Sequence, residues 1–172
     1  QLLFFVMLAA MTVPFQVIMI PLVKMYGNLG LLDSKAVLIF MYAGFGVPLG
    51  VFMFHGFIKG ISYELEESSF IDGCSRVRTF FQIVFPLLRP VVVTLAVLDV
   101  LWVWNDYLLP SLVLLSPANR TLPLSIYAFF STYSVDYGPL MSGLIMSIIP
   151  ILALYLILQD HVIKGITEGA LK

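Results

Sequence analysis

The sequence predicts an all-α membrane protein, a bundle of transmembrane helices with a helix-turn-helix loop on one side of the bilayer. Hydrophobic residues make up 60% of the 172 residues, charged residues make up only 11%, and the mean hydropathy is +1.02. A soluble domain would carry about 25% charged residues. The net charge of −1 provides no basic surface for nucleic acid, so we expect no nucleic-acid partner. The chain is predicted to lie in membrane lipid.

Four apolar runs are each long enough to cross a hydrocarbon core, which takes about 20 residues in a helix. The predicted spans are residues 2–23, 36–58, 87–109 and 138–158. A short link, a polar loop and a longer link connect them, at 24–35, 59–86 and 110–137. Because apolar residues follow Gln1 at once, with no charged leader or cleavage site, we expect further residues to precede it.

The longer link contains two more apolar runs, Leu112–Leu115 and Leu122–Phe130. Both runs are too short to span a bilayer, and Pro117 and Pro123 interrupt the link further. We therefore expect interfacial or re-entrant segments here.

The distribution of basic residues predicts the orientation, because cytoplasmic loops carry an excess of Lys and Arg. One side of the predicted topology holds six basic residues and the other side holds three. The six are Lys59, Arg76, Arg78, Arg89, Lys164 and Lys172, and the three are Lys24, Lys35 and Arg120. The loop 59–86 and the C-terminus are therefore predicted to be cytosolic.

The polar loop is predicted to form two short helices joined at a glycine. Ser62 is placed to cap the first helix, and its early turns hold Glu64, Glu66 and Glu67 near the positive end of the helix dipole. Gly73 then ends this helix, because glycine adopts the left-handed conformation that a helix C-terminus often requires.

The second helix of the loop is predicted to be amphipathic. Its apolar residues recur at i, i+3, i+4, i+7 and i+8, which indicates one continuous face. These residues are Val77, Phe80, Phe81, Val84 and Phe85; Arg76, Arg78, Thr79 and Gln82 occupy the other side, and Pro86 and Pro90 turn the chain toward the third span. An ordinary amphipathic connection between spans would show the same periodicity.

The order of residues in this loop resembles the EAA loop of ABC importer permeases. That loop has Glu-Ala-Ala, then Gly, then Ile-x-Leu-Pro, and this chain has Glu67-Ser68-Ser69, then Gly73, then Ile83-Val84-Phe85-Pro86. The fuller pattern of the sugar permeases is similar to Glu64-Leu65-Glu66 before the motif and Ile71-Asp72 before the glycine. Ser68 and Ser69 replace two alanines and Phe85 replaces a leucine; serine is small enough to preserve close packing.

The resemblance covers nearly the whole chain and points to the maltose-type carbohydrate branch of these permeases. Trp104-Asn105-Asp106-Tyr107 is similar to a Trp-Asn-Asp-Phe segment of that branch. Further similarities lie at Val13-Pro14, Ile20-Pro21, Thr121–Leu124 and Gly165–Lys172. Since family members usually have six spans, the resemblance implies that the predicted spans are the last four.

This resemblance implies a permease subunit of an ATP-driven sugar importer in the cytoplasmic membrane of a bacterium or archaeon. Such a subunit forms the translocation path with a second permease subunit, receives sugar from an extracellular binding protein, and rests on two ATP-hydrolysing subunits. The loop would couple ATP use to the change between inward-open and outward-open states. The residues implied in coupling are Glu66, Glu67, Ser68, Ser69, Asp72, Gly73, Ile83 and Pro86.

The chain has no sequence pattern for ATP chemistry, metal binding or a catalytic nucleophile. It lacks the Gly-x-x-x-x-Gly-Lys-Ser/Thr phosphate loop and the His-Glu-x-x-His zinc motif. His55 and His161 have no metal-ligand spacing around them and are expected to be interfacial or packed. We therefore expect a transport subunit rather than an enzyme, with ATP bound by a partner and no cofactor bound by this chain.

The third span offers candidates for a substrate path. Leu95, Asp99, Trp102 and Asp106 recur at helical spacing, which places two carboxylates and an indole on one face, with Asn105 beside it. Carboxylates accept hydrogen bonds from sugar hydroxyls, and an indole packs against a sugar ring. An ionisable group near the middle of a span is a functional hypothesis by default. Alternatively, Asp99 pairs with the second permease subunit and the aromatic residues form an interfacial belt.

The second span carries a signal for helix packing. Gly46 and Gly50 form a Gly-x-x-x-Gly pair, which predicts the close approach of another helix. Pro48 between them should kink the span, either as a hinge or simply as part of a tightly packed helix.

Two other functions remain open from the sequence. A permease of the same architecture for another solute, such as a glycerol phosphate, should have added basic residues facing the path, and the predicted spans contain only Arg89, at an edge. A membrane enzyme or scaffold with an amphipathic cytosolic loop is the alternative of another class.

Overall fold

The structure is a computed structural model that describes residues 2–129 and 135–170, with side chains except at 128, 158 and 160–170. The side chains of His161, Lys164 and the closing segment Gly165–Lys172 therefore lie outside the described part. The helices in chain order are α1 Leu2–Thr12, α2 Phe15–Asn28, α3 Lys35–Lys59, α4 Tyr63–Ile71, α5 Arg76–Leu87, α6 Arg89–Asn105, α7 Leu108–Val113, α8 Leu122–Ile126 and α9 Tyr137–Ala170. Short 3₁₀ turns follow at Pro117–Asn119 and Tyr127–Phe129.

Two of these helices are long and apolar enough to cross a membrane by themselves, namely α3 and the Tyr137–Ile157 part of α9. Two bent pairs, α1 with α2 and α5 with α6, pass the same test if each pair counts as one span. Helix α3 matches the predicted span 36–58 to within one residue at each end. Its first turn is capped by Ser34, whose hydroxyl accepts the N–H of Val37 at 3.5 Å.

The predicted span 2–23 is not one continuous helix in the structure but two helices that meet at 97°. Pro14 causes the break because it cannot donate a backbone hydrogen bond and disfavours helical backbone at the residue before it. Pro14 itself is extended, with ψ of 136°. The Thr12 hydroxyl donates to the Ala9 carbonyl at 2.7 Å and so closes the last turn of α1.

Helix α6 covers only part of the predicted span 87–109. It begins after a 66° bend from α5, and it ends at Asn105 because Asp106 adopts extended backbone with ψ of 129°. The Asp106 carboxylate accepts the N–H of Leu108 at 3.0 Å, which starts α7 as a separate helix. Residues 106–109 of the predicted span therefore lie outside α6.

Two apolar clusters pack helices against one another, and a hydrogen bond attaches α9 to α6. The first cluster joins α3 to the short helices of the 110–137 link, and consists of Leu38, Met41, Leu109, Val113, Leu114 and Leu124. The second cluster, Val84, Leu88 and Val91, packs against Met53, Phe54, Phe57 and Ile61 near the end of α3. Helix α9 is attached to α6 by the Trp104 indole N–H, which donates to the Ser147 carbonyl at 3.0 Å.

Asp33 fastens the link between α2 and α3 to the segment after α7. Its N–H donates to the Val113 carbonyl at 2.7 Å, and its carboxylate accepts the N–H groups of Leu115 and Ser116 at 3.0 and 2.9 Å. The Asn119 side chain donates to the Asp33 carbonyl at 2.8 Å. Hydrogen bonds from Ser116, and then from Asn119 and Leu115, lower the pKa of Asp33 to about 2. Asp33 also has φ of 61°, which Asp and Asn tolerate better than other residues with side chains.

We expect Asp33→Ala to lower the melting temperature of the detergent-solubilised protein at pH 7 by more than Asp33→Asn does. Alanine removes the acceptor and tolerates this φ poorly, whereas asparagine retains an oxygen and tolerates the backbone.

The pH dependence of the same comparison follows from the lowered pKa. The carboxylate contributes fully to stability above its ordinary pKa of 3.8, and that contribution is lost as the pH falls through the folded value of about 2. The higher melting temperature of the wild type relative to Asp33→Asn should therefore shrink across this window. If wild type and Asp33→Asn differ in melting temperature as much near pH 2 as they do at pH 7, the lowered pKa of Asp33 is contradicted.

Candidate functional site

Helix α4 begins and ends where the polar loop sequence predicts. The Ser62 hydroxyl accepts the N–H of Glu64 at 3.3 Å, which confirms the predicted cap. Gly73 has φ of 80°, as expected for a left-handed residue after a helix. The chain reverses within Asp72–Ser75, and the Ser75 hydroxyl then accepts the N–H of Arg78 at 3.4 Å to start α5.

The candidate coupling residues of α4 and α5 divide into an outward set and an inward set. The exposed members are Glu67, Ser68, Asp72 and Gly73, while Glu66, Ile83 and Pro86 are half-buried and Ser69 is buried. Ile71, at the end of α4, is 86% exposed. Helix α4 therefore presents a carboxylate and a bare isoleucine outward, and it turns a serine inward against α5.

The inward serine is held by hydrogen bonds that sequence reasoning missed. The Ser69 hydroxyl lies 2.7 Å from the Glu66 carbonyl and 2.8 Å from the hydroxyl of Thr79 on α5. Ser69 and Thr79 are each only 2% exposed. From the sequence, Ser69 is explained by its small size, and Thr79 is predicted to lie on a polar face. The available signal was a pair of hydroxyl residues ten positions apart across a predicted turn.

Helix α5 departs from the predicted continuous apolar face at one residue, Val84. Phe80–Val84 form a π-helical turn, in which the N–H of Phe85 donates to the Phe80 carbonyl. Pro86 explains the wider turn, because it lacks an N–H and its ring would crowd the carbonyl four residues earlier. Val84 is thereby buried in the second cluster, whereas Phe80, Phe81 and Phe85 stay exposed and pack on one another.

The glycine pair of α3 and the predicted polar face of α6 are two sides of one interface. A Cβ atom at Gly50 would lie 3.3 Å from the Leu95 side chain. A Cβ atom at Gly46 would lie 3.7 Å from both carboxylate oxygens of Asp99. The glycines therefore permit the close approach that their spacing predicts, and α6 is the helix that makes it.

Tyr42 of α3 continues this interface at the other end of α6. Its ring meets the Trp102 ring edge-on, with centroids 5.5 Å apart, and its hydroxyl donates to Asp106 at 2.9 Å. The second oxygen of Asp106 accepts the Leu108 N–H, as described above. The Asn105 side chain donates to the Leu101 carbonyl of its own helix at 2.7 Å. Asp106 and Asn105 are therefore engaged within the chain.

Asp99 and Trp102 retain capacity for a ligand. Among the described residues, no hydrogen bond or ion pair engages the Asp99 carboxylate, which lies beside the bare backbone of Gly46. Trp102 forms part of the wall of an apolar cavity of about 580 Å³ that also contacts α1, α2 and α3. His55, by contrast, is packed as expected, with its ring stacked on Phe4 at 4.0 Å.

Nearly the whole chain is similar to known proteins. Residues 1–168 match the family described as binding-protein-dependent transport system inner membrane component. The chain is 48% identical over 163 residues to the probable starch degradation products transport system permease protein AmyC of Thermoanaerobacterium thermosulfurigenes, covering 95% of this chain and 59% of that protein. It is 41% identical over 162 residues to the multiple sugar-binding transport system permease protein MsmG of Streptococcus mutans, covering 93% and 58%.

A third relative extends the comparison to another sugar class. The chain is 32% identical over 170 residues to the melibiose/raffinose/stachyose import permease protein MelC of Bacillus subtilis, covering 98% of this chain and 62% of that protein. The chain thus spans between 58% and 62% of the length of these relatives. These matches confirm the resemblance carried by the polar loop and the Trp104–Tyr107 segment. The chain belongs to the family of inner membrane components of binding-protein-dependent transport systems.

Proposed function

We propose that the chain is part of a permease subunit of an ATP-driven sugar importer, and that helices α4 and α5 couple it to ATP-hydrolysing subunits. The observation that carries the proposal is the family match over residues 1–168, which includes the entire loop. Three relatives named as permeases for starch degradation products, for multiple sugars, and for melibiose, raffinose and stachyose support a sugar as the solute.

The surface of α4 supports its proposed docking to an ATP-hydrolysing subunit. Glu67 and Ile71 both project outward, and Ile71 is almost fully exposed. An apolar side chain next to carboxylates suits a cleft with an apolar floor and basic residues at its rim. In this proposal, α4 lies in such a cleft, so that closure of the ATP-hydrolysing subunits moves it. The proposed orientation, with 59–86 and the C-terminus in the cytosol, is supported by the excess of basic residues on that side.

The second apolar cluster provides a route from the loop to the membrane helices. Val84 of α5 and Val91 of α6 pack against Phe54 and Phe57 near the end of α3. Close-packed side chains transmit displacement because they cannot move independently. Movement of α5 would therefore shift α3 and α6 together. ATP binding would supply the differential free energy that changes the populations of the inward-open and outward-open states.

The proposed sugar path runs beside Asp99 and Trp102. The Asp99 carboxylate is available to accept hydrogen bonds from sugar hydroxyls, and the Trp102 indole borders the apolar cavity. Asp106 and Asn105 would shape the path through their internal hydrogen bonds. A polar group of the second permease subunit is the competing partner for Asp99, because that subunit would share the path.

Purification and uptake by the whole gene product test the proposed function. We expect the protein to co-purify with an ATP-hydrolysing subunit and to support ATP-dependent uptake of at least one of maltotriose, raffinose and arabinotriose. Glycerol 3-phosphate belongs in the same panel, since its uptake without that of any sugar would favour the other solute class. A protein that never retains an ATP-hydrolysing subunit would contradict the transporter assignment.

We expect Glu67→Lys and Gly73→Pro to leave the protein in the membrane but to uncouple ATP hydrolysis from uptake. Lysine reverses the charge of the proposed docking surface, and proline cannot adopt the φ of 80° found at Gly73. Sugar uptake per ATP hydrolysed should fall about tenfold, which corresponds to a change of about 1.4 kcal/mol in the barrier for productive relative to unproductive hydrolysis. Glu64→Lys is the matched control, because Glu64 is an exposed acid on the same helix but lies outside the motif. Normal transport in both test variants would refute the prediction.

We expect Asp99→Leu to raise the KM for sugar uptake about tenfold without loss of assembly, since hydrogen bonds to a charged group contribute about 1.5–3 kcal/mol. Asp99→Asn should raise it less, because the amide keeps an acceptor oxygen. The amount of second permease subunit that co-purifies distinguishes the two roles of Asp99. Unchanged uptake kinetics would leave Asp99 a structural residue, and loss of the second subunit would assign it to the subunit interface.

A further inference from the structure

Two buried hydroxyls connect α5 to the backbone of α4 in a fixed order. The Ser69 hydroxyl donates to the Glu66 carbonyl at 2.7 Å, and this bond uses its only proton. The Thr79 hydroxyl, 2.8 Å from that of Ser69, must therefore be the donor to Ser69. Thr79 therefore donates to Ser69, and Ser69 donates to the Glu66 carbonyl. The chain of bonds ends at the residue before Glu67, on the helix proposed to contact the ATP-hydrolysing subunit.

We infer that this hydroxyl relay is a positioning device that makes α4 and α5 move as one body during transport. The inference rests on the proposed coupling function and concerns how displacement of α4 reaches α5. Because both hydroxyls are buried between α4 and α5, the relay in this proposal contacts neither sugar nor nucleotide. Its expected effect is therefore on coupling efficiency rather than on the affinity for sugar.

The turn between the two helices shows why such a device is needed. The covalent connection is the segment Asp72–Ser75, in which all residues but the half-buried Cys74 are exposed, and a Cβ at Gly73 would meet no atom within 4 Å. Open surroundings and a glycine offer little resistance to bending of α4 on α5. Ser69 opposes bending at two points, since its backbone carbonyl also accepts the N–H of Cys74 at 2.9 Å.

The position of Thr79 connects the relay to the membrane helices. Thr79 lies on α5 five residues before Val84, which is buried in the cluster against the end of α3. A force on α4 that reaches Thr79 therefore enters the packed part of the protein within about one further turn of helix. An alanine at position 69 would fill similar space but would accept no hydrogen bond from Thr79. The serine hydroxyl accepts this bond and thereby ties α5 to α4.

Residues elsewhere in the chain provide controls of matched chemistry. Ser142 of α9 is also an exposed serine, and it donates to the Gly138 carbonyl of its own helix at 2.9 Å. Ser142→Ala therefore removes a serine hydroxyl without affecting the contact between α4 and α5. Thr79→Ser retains the donor, whereas Thr79→Val replaces it with a methyl group of similar volume.

The test compares these variants in the whole gene product, reconstituted in proteoliposomes with its partner subunits. Uptake is measured with the sugar of the panel that the wild type carries fastest, together with phosphate release and amide hydrogen exchange in α4. Ser69→Ala and Thr79→Val should each lower the sugar uptake per ATP hydrolysed by about fivefold. Each should also raise the rate of amide exchange in α4 by about fivefold. This magnitude is the effect of losing one net hydrogen bond. The double variant should be no worse than Ser69→Ala, since both hydroxyls act in one relay. Ser142→Ala and Thr79→Ser should behave as the wild type.

Wild-type values for both measurements in Ser69→Ala and Thr79→Val would overturn the relay, provided that Glu67→Lys in the same experiment uncouples. If the wild type shows no ATP-dependent uptake, or Glu67→Lys has no effect, the coupling function fails instead. In that case faster α4 exchange in Ser69→Ala still supports the relay as the link between the two helices, and unchanged exchange overturns it. Effects of Ser69→Ala and Thr79→Val that add in the double variant would also overturn it, because independent contributions are incompatible with a single chain of bonds.

Discussion

The contact of α3 with α6 at Gly46 and Gly50 is the constraint on which the arrangement of the other elements depends. Lipid provides no hydrophobic force between helices, so residues small enough for close approach decide which helices meet. This contact brings Tyr42 to Asp106, and the same carboxylate ends α6 and starts α7. At the opposite end it places α3 against the cluster around Val84, on which the α4–α5 pair rests.

The proposed path and the proposed coupling loop consequently share the same two helices. Asp99 lies on the α3 side of α6, and the second apolar cluster lies where α5 joins α6. A change at the loop does not need to pass through a long series of residues, because α6 extends directly from the cluster to Asp99. A shift of α6 along α3 would change the surroundings of the Asp99 carboxylate, and the glycines present little side-chain obstruction to such a shift.

Local rules explain the parts of this structure that the sequence predicts. The Ser62 cap, the Gly73 turn and the bounds of α3 each depend on residues within a few positions. Features that depend on distant residues were missed or misplaced. Asp106, which ends α6, is bound by Tyr42, a residue 64 positions away. The partner of Ser69 is Thr79, and the two residues meet only when the turn between α4 and α5 is folded. The π-helical turn is an intermediate case, since its proline is visible in the sequence but its effect on Val84 is not. The protein proposed to contact the outward face of α4 would contribute its own residues to that contact, and the sequence of this chain does not contain them.

The turn at Gly73 constrains the backbone dihedral angle of the residue there, and not the size of its side chain. A β-carbon would meet nothing within 4 Å, but an L-residue would have to hold φ of 80°. A D-alanine introduced by chemical ligation would satisfy the same backbone without strain, because its mirror-image geometry favours positive φ. Among genetically encoded residues that carry a side chain, asparagine and aspartate adopt this φ at the smallest conformational cost. The space around Gly73 would admit a larger side chain, and only the positive φ disfavours one.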